Sequence, residues 1–439
     1  MAVARADKLT SLPAQTVEVT PSCLVIGGGV AGMTAAVTLA DMGITTYLVE
    51  RESGLGGKLN ILSTLAPSDI SAGDVREQLV RSVLQRPRIK VFLSAEVSEV
   101  EGYVGNFRVT LDEGVGGAVT QLPVGTMIVA TGYREVDLRG RYGYGDDPRV
   151  ITQLELERRL RDGTLGSPRS IVMVNCAGSM DETNPACCRI GCTISVKNAR
   201  MLRRSAPEAG IFMLYQEMRV YGKGQEEYFT QMLEEVQPFR IRYDSTRPPE
   251  VRVRGRGLTV SVYDTLLRED LNIEADLIVL TAALQGDAQT PRLKQMLKVS
   301  TDDQDFYSEA HAKIRPLDFT TDGIYLCGAD HYPRTIPDTI AQAAGAASRA
   351  AIPLLRGRVT VEPIVAEVNP AACTGCGDCA PLCPYGAMDM DVTRGIVTIA
   401  EVLCKGCGTC VAACPSGALQ QRGFSDGQVL AMIESAWPQ

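Results

Sequence analysis

The sequence is poor in residues that support several common functions. Its 439 residues contain two histidines, His311 and His331, one tryptophan, and only 5% aromatic residues. The chain therefore offers few histidines for general acid–base catalysis on a bulky substrate. Lysine and arginine number 44 against 52 acidic residues, and the net charge of −8 argues against nucleic acid or an anionic membrane surface as a partner.

Long hydrophobic runs are also scarce. Residues 1–20 are polar and mixed in charge, without the apolar core of a secretory signal. The longest uncharged stretch, residues 23–40, has the length of a membrane span. Its four glycines fit a buried strand, turn and helix better than a span. We therefore expect no direct membrane span and a cytoplasmic location.

A glycine motif near the start predicts dinucleotide binding. A β-branched run leads into Gly27-x-Gly29-x-x-Gly32, an apolar helix follows, and a second strand, Thr45–Val49, ends on Glu50. The first glycine permits the turn, the second admits a pyrophosphate, and the third packs the helix against the strand. The helix N-terminus offers N–H groups to phosphate, and Glu50 can accept a hydrogen bond from a ribose hydroxyl. A glycine-rich turn without a ligand is the alternative.

The pattern continues downstream. Gly57 gives another close backbone approach, and Lys58 could meet phosphate or flavin oxygens. The predicted elements are a helix at 75–84, strands at 90–92, 94–100, 106–111 and 121–124, a flexible hairpin tip at 114–117, and a buried strand at 127–130 that ends in Ala130-Thr131-Gly132.

Fourteen cysteines without a secretory context indicate metal or redox chemistry rather than a disulfide framework. Eight lie between Cys373 and Cys414, and four lie between Cys176 and Cys192. The other two, Cys23 and Cys327, stand alone in apolar runs and are expected to be small buried hydrophobic residues.

The eight C-terminal cysteines form two C-x2-C-x2-C-x3-C-P runs. In this arrangement three thiolates of a run hold one cluster, and the fourth holds the other cluster. Zinc is the competing interpretation of paired cysteines. The predicted [4Fe–4S] ligand sets are Cys373, Cys376, Cys379 and Cys414 for the first cluster, and Cys404, Cys407, Cys410 and Cys383 for the second.

The segment from Thr321 to Asp330, Thr-Asp-Gly-Ile-Tyr-Leu-Cys-Gly-Ala-Asp, resembles a segment of flavoproteins with two dinucleotide-binding domains. The glycine motif and the Ala-Thr-Gly strand end resemble the same group. The resemblance implies FAD, with Asp330 facing its ribityl-pyrophosphate region and a helix starting near Asp338 pointing at the isoalloxazine. Motif and resemblance together give these cofactor-binding candidates: Gly27, Gly29, Ala31, Gly32, Glu50, Arg51, Gly57, Lys58, Val97, Ala130, Thr131, Gly132, Gly328, Asp330 and Ile340.

A second nucleotide-binding domain is expected to begin at the strand 170–174. The glycine fingerprint for nicotinamide nucleotides is absent after this strand, and cysteines occupy its place, from Cys176 to Cys192. We therefore expect that electrons do not arrive here from NAD(P)H.

The chain from about residue 21 to 430 resembles HdrA, the iron–sulfur flavoprotein component of heterodisulfide reductases. The segments that carry this resemblance are Tyr-Gly-Tyr-Gly at 142–145, Val-Ile-Thr-Gln-Leu-Glu at 150–155, Tyr-Gly-Lys-Gly-Gln-Glu-Glu at 221–227 and Ile-Pro-Asp-Thr-Ile-Ala-Gln-Ala at 336–343. Members of this family bind FAD and several [4Fe–4S] clusters, and some bifurcate electrons. Larger members carry further cluster segments that this chain does not show, which implies a compact version.

The family's internal cluster implies a third metal site. Its pattern is a cysteine followed by Cys-Ser-Arg-Val-Cys-Cys, and here one ligand position is Gly191 while an extra thiol appears at Cys188. A vicinal thiol pair and an unmetallated loop remain alternatives. The candidate ligands are Cys176, Cys187, Cys188 and Cys192. The family's lysine near flavin N5 falls on Lys197, for which a solvated helix position is the alternative.

The predicted fold is α/β, a thioredoxin-reductase-like flavoprotein with two dinucleotide-binding domains and a C-terminal α+β ferredoxin domain with two clusters. A linker is expected at 356–367 and a short docking helix near 429–433. The predicted divisions are an N-terminal extension (1–20), a discontinuous FAD-binding domain (21–167 and 285–356), a second nucleotide-binding-like domain with the cysteine group (168–284), the ferredoxin domain (357–421) and a C-terminal helix and tail (422–439).

The favoured function is an FAD and iron–sulfur electron-transfer subunit of a heterodisulfide-reductase-like complex that splits or merges electron pairs, with flavin-based bifurcation as an option. Expected partners are other redox subunits and ferredoxin-type carriers, with a homodimer of the flavoprotein inside a larger assembly. The alternatives are a stand-alone pyridine-nucleotide or thiol-disulfide flavin reductase and a non-enzymatic ferredoxin-fused scaffold.

Overall fold

The N-terminal segment forms a short helix, α1 (Ala2–Ala6), and a strand, β1 (Gln15–Glu18). The computed structural model describes residues 1–12, 15–114, 117, 119–255 and 257–436. Within these residues, no helix combines the length and apolar character needed to cross a membrane.

The first unit begins with the predicted glycine motif and contains a parallel sheet. Its elements are β2 (Ser22–Ile26), α2 (Val30–Asp41), β3 (Thr45–Val49), a 3-10 turn (Gly57–Asn60), β4 (Thr64–Leu65), β5 (Ile70–Ser71), α3 (Ala72–Leu84), β6 (Ile89–Phe92), β7 (Glu96–Tyr103), β8 (Asn106–Asp112), β9 (Val119–Val124), β10 (Thr126–Val129) and β11 (Tyr133–Glu135).

The second unit repeats the same alternation. Its elements are β12 (Val150–Thr152), α4 (Gln153–Arg161), β13 (Ser170–Ala177), α5 (Gly191–Ser205), β14 (Gly210–Tyr215), α6 (Gln225–Val236), β15 (Phe239–Arg242), β16 (Glu250–Arg254), β17 (Gly257–Asp264), β18 (Glu269–Glu274) and β19 (Leu277–Ala282).

The chain then returns to the first unit through β20 (Leu284–Gly286), α7 (Thr290–Leu297), β21 (Ile324–Leu326) and α8 (Ile336–Arg356). The C-terminal part, called here the ferredoxin module, follows. Its elements are β22 (Arg358–Val361), β23 (Ala366–Val368), α9 (Cys379–Leu382), β24 (Met388–Asp391), β25 (Ile396–Ile399), α10 (Thr409–Ala413) and β26 (Leu419–Gln421), and the chain ends in α11 (Asp426–Ala436).

Both units are built on one plan. The first sheet has the order β6-β3-β2-β10-β21 and the second has the order β15-β14-β13-β19-β12, with all neighbours parallel. Each carries an antiparallel three-stranded insert, β7-β8-β9 or β16-β17-β18. The central strands are buried throughout, as expected for parallel sheets covered on both faces.

A close helix pair covers one face of the first sheet. Helices α2 and α8 pack together through small side chains, among them Ala35, Ala36, Ala343 and Ala347, which are all fully buried. Such small residues let two helices approach closely, so that both N-termini reach the same edge of the sheet. This edge is where the carboxyl ends of the strands meet.

The two ends of the chain contact each other. Strand β1 pairs with β22, so part of the segment expected to be a linker is a strand. The Arg5 guanidinium lies 3.7 Å from the Phe424 ring centroid and donates to the Gly423 carbonyl, and the Gln428 side chain donates to the Lys8 carbonyl. The N-terminal extension thus holds the C-terminal helix against the ferredoxin module.

Most element boundaries differ from the predictions by a few residues. The strand Thr45–Val49 has its predicted bounds, α3 begins three residues before the predicted helix, and β13 runs three residues beyond the predicted strand. Part of the hairpin tip expected at 114–117, residues 115 and 116, lies outside the described residues, as do residues 437–439 of the tail.

Candidate flavin and cluster sites

A large cavity opens at the carboxyl ends of β2, β3 and β10. Its volume is about 780 Å³, within the ordinary range for small-molecule sites. It lies between the two units, since residues of α5 also reach it. The predicted residues that line it are Gly27, Gly29, Ala31, Glu50, Arg51, Gly57, Lys58, Val97, Ala130, Thr131, Gly132 and Lys197.

The three motif glycines occupy different environments. A Cβ atom on Gly27, whose φ is +112°, would lie 2.3 Å from the Ala130 carbonyl oxygen, and one on Gly32 would lie 1.8 Å from the Gly27 carbonyl oxygen. A Cβ atom on Gly29 would have no atom within 4 Å. Packing therefore requires Gly27 and Gly32, whereas Gly29 faces open space in the cavity, which fits the approach of a phosphate group.

The Glu50 carboxylate organises the turn beside the cavity. Its Oε2 accepts from the Gly28 amide at 2.6 Å and its Oε1 accepts from the Glu52 amide at 2.9 Å. Glu50 is only 8% exposed, yet it lines the cavity. A carboxylate has lone pairs left after two such bonds, so it can still accept from a sugar hydroxyl.

Asp330 lies behind the cavity wall formed by Thr131. Its Oδ2 accepts from the Thr131 amide at 2.8 Å and from the Thr131 hydroxyl at 3.3 Å. The residue is completely buried, and this burial raises the pKa of its carboxyl group to about 8. Its Oδ1 has no hydrogen-bond partner among the described residues. A hydroxyl of a bound cofactor would satisfy this oxygen.

The structure does not bring every predicted contact to the cavity. Helix α8 begins at Ile336, two residues before the predicted start, so Thr335, Ile336 and Thr339 line the cavity while Ile340 is 37% exposed and lies outside it. Gly328 and Gly32 lie behind the wall. A Cβ atom on Gly328 would lie 2.8 Å from the Cβ of Ala31, so this glycine serves packing.

Lys197 is buried at the cavity wall. It is 3% exposed, forms an ion pair with Glu157 of α4 and donates to the Thr64 carbonyl at 3.0 Å. Glu157 is fully buried, and its second oxygen accepts from the Ser63 amide. The solvated-helix alternative for Lys197 is therefore wrong.

Sequence reasoning missed two charged residues that line the cavity, Asp287 and Arg334, and one that is buried behind it, Glu157. Asp287 forms a bidentate ion pair with Arg51 at 2.7 and 3.0 Å, and Glu157 pairs with Lys197. Arg334 is 9% exposed, and its Nε has no partner among the described residues. Asp287 and Arg334 follow β-strands of the return segment, and Glu157 lies inside an amphipathic helix. These positions carry no motif that would have identified them.

The ferredoxin module contains two separate cavities with cysteine walls. Thiols from both C-x2-C-x2-C-x3-C runs line each cavity, in the same grouping as the two predicted ligand sets. One cavity is lined by Cys373, Cys376, Cys379 and Cys414, and the other by Cys383, Cys404, Cys407 and Cys410.

The surroundings of some of these thiols favour thiolates, whereas burial raises the pKa of Cys379 and raises the pKa of Cys410 to about 11. The Ala366 amide donates to the Cys404 sulfur at 3.4 Å, and the Ala387 amide donates to the Cys383 sulfur at 3.3 Å. A hydrogen bond with the Thr409 hydroxyl lowers the pKa of Cys407. Among the described residues, no three His, Cys, Asp or Glu side chains converge as ligands of one metal ion. Two sets of four thiols, each taking its fourth thiol from the other C-x2-C-x2-C-x3-C run, match the ligand pattern of paired [4Fe–4S] clusters rather than that of single zinc ions.

The third cysteine group lies beside the flavin-type cavity. Cys176, the next-to-last residue of β13, has a φ of +63°, and the hydrogen bond to Cys187 together with burial raises the pKa of the Cys188 thiol. Its hydrogen bond to Cys187 lowers the pKa of Cys187 to about 5. A Cβ atom on Gly191 would lie 2.6 Å from the Cys188 sulfur, so the glycine leaves room for this thiol.

Comparisons with known proteins agree with this arrangement. Residues 21–345 match the family described as pyridine nucleotide-disulphide oxidoreductase, and residues 366–418 match the 4Fe-4S dicluster domain. The thioredoxin reductase of Lactococcus lactis has a similar fold, with a TM-score of 0.56 and 17% identity, over 77% of this chain and 100% of that one.

Two curated relatives match almost the whole chain, and both are A-type components of heterodisulfide reductases. The one from the H(2)/formate:CoB-CoM heterodisulfide,ferredoxin reductase of Methanococcus maripaludis is 34% identical over 98% of this chain and 79% of its own length. The one from the H(2):CoB-CoM heterodisulfide,ferredoxin reductase of Methanothermobacter marburgensis is 36% identical over 99% of this chain and 79% of its own length. The predicted fold class and the predicted resemblance are confirmed. The chain is a flavoprotein oxidoreductase with 4Fe–4S chemistry, and it belongs to the HdrA family of heterodisulfide reductase components.

Proposed function

We propose that this chain is the FAD and iron–sulfur electron-transfer subunit of a heterodisulfide-reductase-like complex. The observation that carries the proposal is the presence, in one chain, of a flavin-type cavity and two cavities lined by four thiols each. A bound flavin supplies two-electron chemistry, whereas iron–sulfur clusters exchange single electrons. A protein that holds both can split or merge electron pairs.

The residues that would hold FAD are those of the cavity described above, with Gly29 beside the pyrophosphate, Glu50 at the ribose and Asp330 near the ribityl chain. The two crossed cysteine sets would hold two [4Fe–4S] clusters. We propose a discontinuous FAD-binding domain, a second domain and a ferredoxin domain (357–421). The predicted boundary between the first two, at 167 and 168, moves to before β12, because β12 pairs with β19 in the second sheet.

Two positive features of the protein would favour electron uptake at the flavin. Lys197 holds its ammonium group at the cavity wall, and the first turn of α8 presents its N-terminal end there. Both stabilise negative charge, the helix by its dipole and the lysine by its charge, which the ion pair with Glu157 partly offsets. Lys197 is therefore the proposed catalytic residue, and Glu157 positions it.

The second unit does not offer a nicotinamide site of the usual form. Thirteen residues, 178–190, separate β13 from α5, where a short glycine turn would otherwise connect strand and helix. This loop carries Cys187 and Cys188. We infer that electrons reach the flavin through clusters rather than from NAD(P)H.

The cysteine group Cys176, Cys187, Cys188 and Cys192 is the proposed site of a third cluster. The effect of the neighbouring thiols on the pKa of Cys188 and the space that Gly191 leaves for this thiol support the assignment. A vicinal thiol pair is the competing state. An iron content near twelve rather than eight per chain would distinguish the cluster from the thiol pair, at about four irons per cluster.

The names of the two relatives include a heterodisulfide and ferredoxin, and this supports a proposal about partners. We propose other redox subunits and a ferredoxin-type carrier as partners, a homodimer of this chain within the assembly, and a cytoplasmic location. A more specific form of the same proposal is that the chain bifurcates an electron pair between two acceptors.

Anaerobic purification from the native host tests the proposal. We expect one FAD, at least eight irons per chain, and co-purifying redox subunits. Zinc in place of iron, or fewer than about four irons per flavin, would contradict the cluster assignment. A lone chain that oxidises NADH with a small disulfide as acceptor would favour the stand-alone reductase instead.

A further inference from the structure

A buried arginine at the wall of the flavin-type cavity has no carboxylate partner. Arg334 is 9% exposed and lines the cavity together with Thr335, Ile336 and Thr339 of the α8 start. Among the described residues it forms no ion pair, and its Nε has no hydrogen-bond partner. Burying a cation is costly unless an opposite charge compensates for the lost water. An anionic group in the cavity would supply what this guanidinium lacks.

The contacts that Arg334 does make fix its side chain without neutralising it. Its Nη2 donates to Nδ1 of His331 at 3.3 Å. The Gln342 side chain shows that this nitrogen is an acceptor, because its oxygen accepts from the Gly328 amide at 2.7 Å and its NH2 group donates to the same Nδ1 at 2.8 Å. His331 therefore carries its proton on Nε2, which donates to Glu309 at 2.8 Å. Arg334 thus donates to a neutral histidine, and its positive charge stays uncompensated.

The carboxyl groups of the surrounding segments do not neutralise Arg334 either. Glu309 accepts from His331, and the exposed Asp338 of the first turn of α8 accepts from the Thr335 hydroxyl at 2.7 Å. Burial raises the pKa of Asp330 to about 8, so this group is mostly uncharged at neutral pH. Each of these carboxyl groups has another partner or is protonated.

A second guanidinium contacts the same tyrosine as Arg334. The centroid of the Tyr332 ring lies 4.0 Å from the Arg334 guanidinium and 4.5 Å from the Arg189 guanidinium. Arg189 directly precedes Ile190, which lines the cavity from the second unit. Attraction to the ring face stabilises each cation, but the two cations repel each other. A nearby anion would relieve this repulsion.

The position of Arg334 indicates which part of a flavin it would contact. In the arrangement proposed above, the pyrophosphate lies at Gly29, before α2, and the N-terminal end of α8 faces the flavin ring. Arg334 directly precedes Thr335, the N-cap of α8. It also shares Tyr332 with the second unit, which supplies Lys197 to the cavity. Both relations place the guanidinium at the ring rather than at the phosphates.

We propose that the Arg334 guanidinium contacts the bound flavin ring and stabilises the negative charge that the ring carries after reduction. This inference rests on the proposed function, because it requires FAD in the cavity. Two electrons, delivered one at a time by the clusters, and one proton leave the ring with one negative charge. Arg334 matches this charge without giving up a proton, because a guanidinium stays protonated. Arg334 is thus a second catalytic residue beside Lys197.

The experiment uses the full chain with its clusters, purified anaerobically. Redox titration followed by the flavin absorbance measures the flavin midpoint, and fluorescence titration of the flavin-free protein measures the affinity for oxidised FAD. The variants are Arg334→Gln, Arg334→Met and Arg334→Lys. The matched control is Arg356→Gln, which removes one exposed cation from the opposite end of α8.

The two uncharged variants should bind reduced FAD more weakly. We expect the ratio of reduced to oxidised FAD affinity to fall about tenfold, which lowers the midpoint of a two-electron couple by about 30 mV. The affinity for oxidised FAD should change less than threefold, since the ring is neutral before reduction. Arg334→Lys keeps the positive charge and should regain most of the midpoint, and Arg356→Gln should leave it unchanged.

Three results would overturn the inference. An equal loss of affinity for both oxidation states would place the guanidinium at the phosphates. An unchanged midpoint in Arg334→Gln, or in Arg334→Met where the glutamine variant does not fold, would leave Arg334 a structural role only. An equal shift in Arg356→Gln would assign the effect to net charge. Normal FAD and iron contents in these proteins would leave the proposed function intact, whereas a wild-type chain without FAD would contradict that function itself.

Discussion

The two nucleotide-binding-like units share a sheet plan but differ in the loop that follows their central strand. In the first, three residues, Gly27 to Gly29, join β2 to α2, and this short turn opens onto the cavity. In the second, thirteen residues join β13 to α5 and carry two cysteines, Cys187 and Cys188. The sheet sets the position of the loop in each unit. The residues of the loop determine whether a phosphate-binding turn or a group of cysteines lies at that position.

The units also differ in what they contribute to the shared cavity. The first supplies glycines and the Glu50 carboxylate, which fit a dinucleotide. The second supplies the buried Lys197–Glu157 pair and the start of α5. The second unit has no nicotinamide turn, yet it lines the cavity through Lys197 and through Ile190 and Thr193, which adjoin the cysteine group in the sequence.

The largest expected effect, a loss of iron, comes from substitutions in the crossed cysteine sets. These sets belong to the ferredoxin module and have no counterpart in either nucleotide-binding-like unit. Cys414→Ser should remove the same cluster as Cys373→Ser, and Cys383→Ser the same cluster as Cys404→Ser, each with a loss of about four irons per chain. Iron analysis and the resonance spectra of the reduced proteins would show this. Loss of the same cluster in Cys414→Ser and Cys404→Ser would show that the sets do not cross.

Lys197→Ala should have the next largest effect. It leaves Glu157 buried without its partner, which costs about 3–5 kcal/mol of the free energy of unfolding. The flavin midpoint should fall as well, because a cation near the reduced flavin is lost, while the C-terminal clusters stay unchanged.

The control for this variant is Lys197→Met with Glu157→Gln, which removes both charges. We expect it to regain most of the lost stability but not the flavin midpoint. If the midpoint also returns to the wild-type value, Lys197 has a structural role only.

Glu50→Ala tests whether the first unit binds a dinucleotide through its carboxylate. A hydrogen bond to a charged group contributes about 1.5–3 kcal/mol, so FAD affinity should fall about tenfold or more. Part of this loss in affinity would come from the turn itself, because the substitution also removes the hydrogen bond that Glu50 accepts from the Gly28 amide at 2.6 Å. Fluorescence titration of the flavin-free protein measures the affinity, and Glu99→Ala, at an exposed carboxylate that does not line the cavity, is the matched control. Unchanged affinity in Glu50→Ala would assign the ribose to another residue.

Gly29→Ala should have the smallest effect on folding. Its φ of −75° suits any residue, and a Cβ atom there meets nothing within 4 Å, so the flavin-free protein should unfold within about 0.5 kcal/mol of the wild type. FAD affinity should nevertheless fall severalfold, since the methyl group occupies the approach to the phosphates. Equal FAD affinity in both proteins would mean that the pyrophosphate lies elsewhere.

The sequence allowed much of this arrangement to be predicted because its motifs are local. The glycine turn, the acid after β3 and the cysteine spacings each depend on a few neighbouring residues, and the crossed sets follow from a known ligand rule. The missed residues depend on the tertiary fold. Asp287 meets Arg51 across 236 positions of the chain, and Glu157 meets Lys197 from another helix.

The ends of the chain show the same limit. Residues 1–20 and 356–367 carry no strong pattern, yet β1 and β22 pair and the Arg5 side chain reaches Gly423. Ile340 was assigned from a helix start that the Thr335 cap places two residues earlier. The strand pairing, the Arg5 contact and the start of α8 all depend on packing between segments that are distant in the sequence. No residue spacing in the sequence predicts such packing.

The source of electrons tests the central claim most directly. The purified chain, with its flavin and clusters, is mixed in a stopped-flow instrument with NADH, NADPH or a low-potential one-electron donor, and the flavin absorbance is followed. We predict fast bleaching after reduction of the clusters by the one-electron donor and no useful rate with either nicotinamide. Rapid bleaching by NADH in the isolated chain would contradict this account and show that the second unit still serves a nicotinamide.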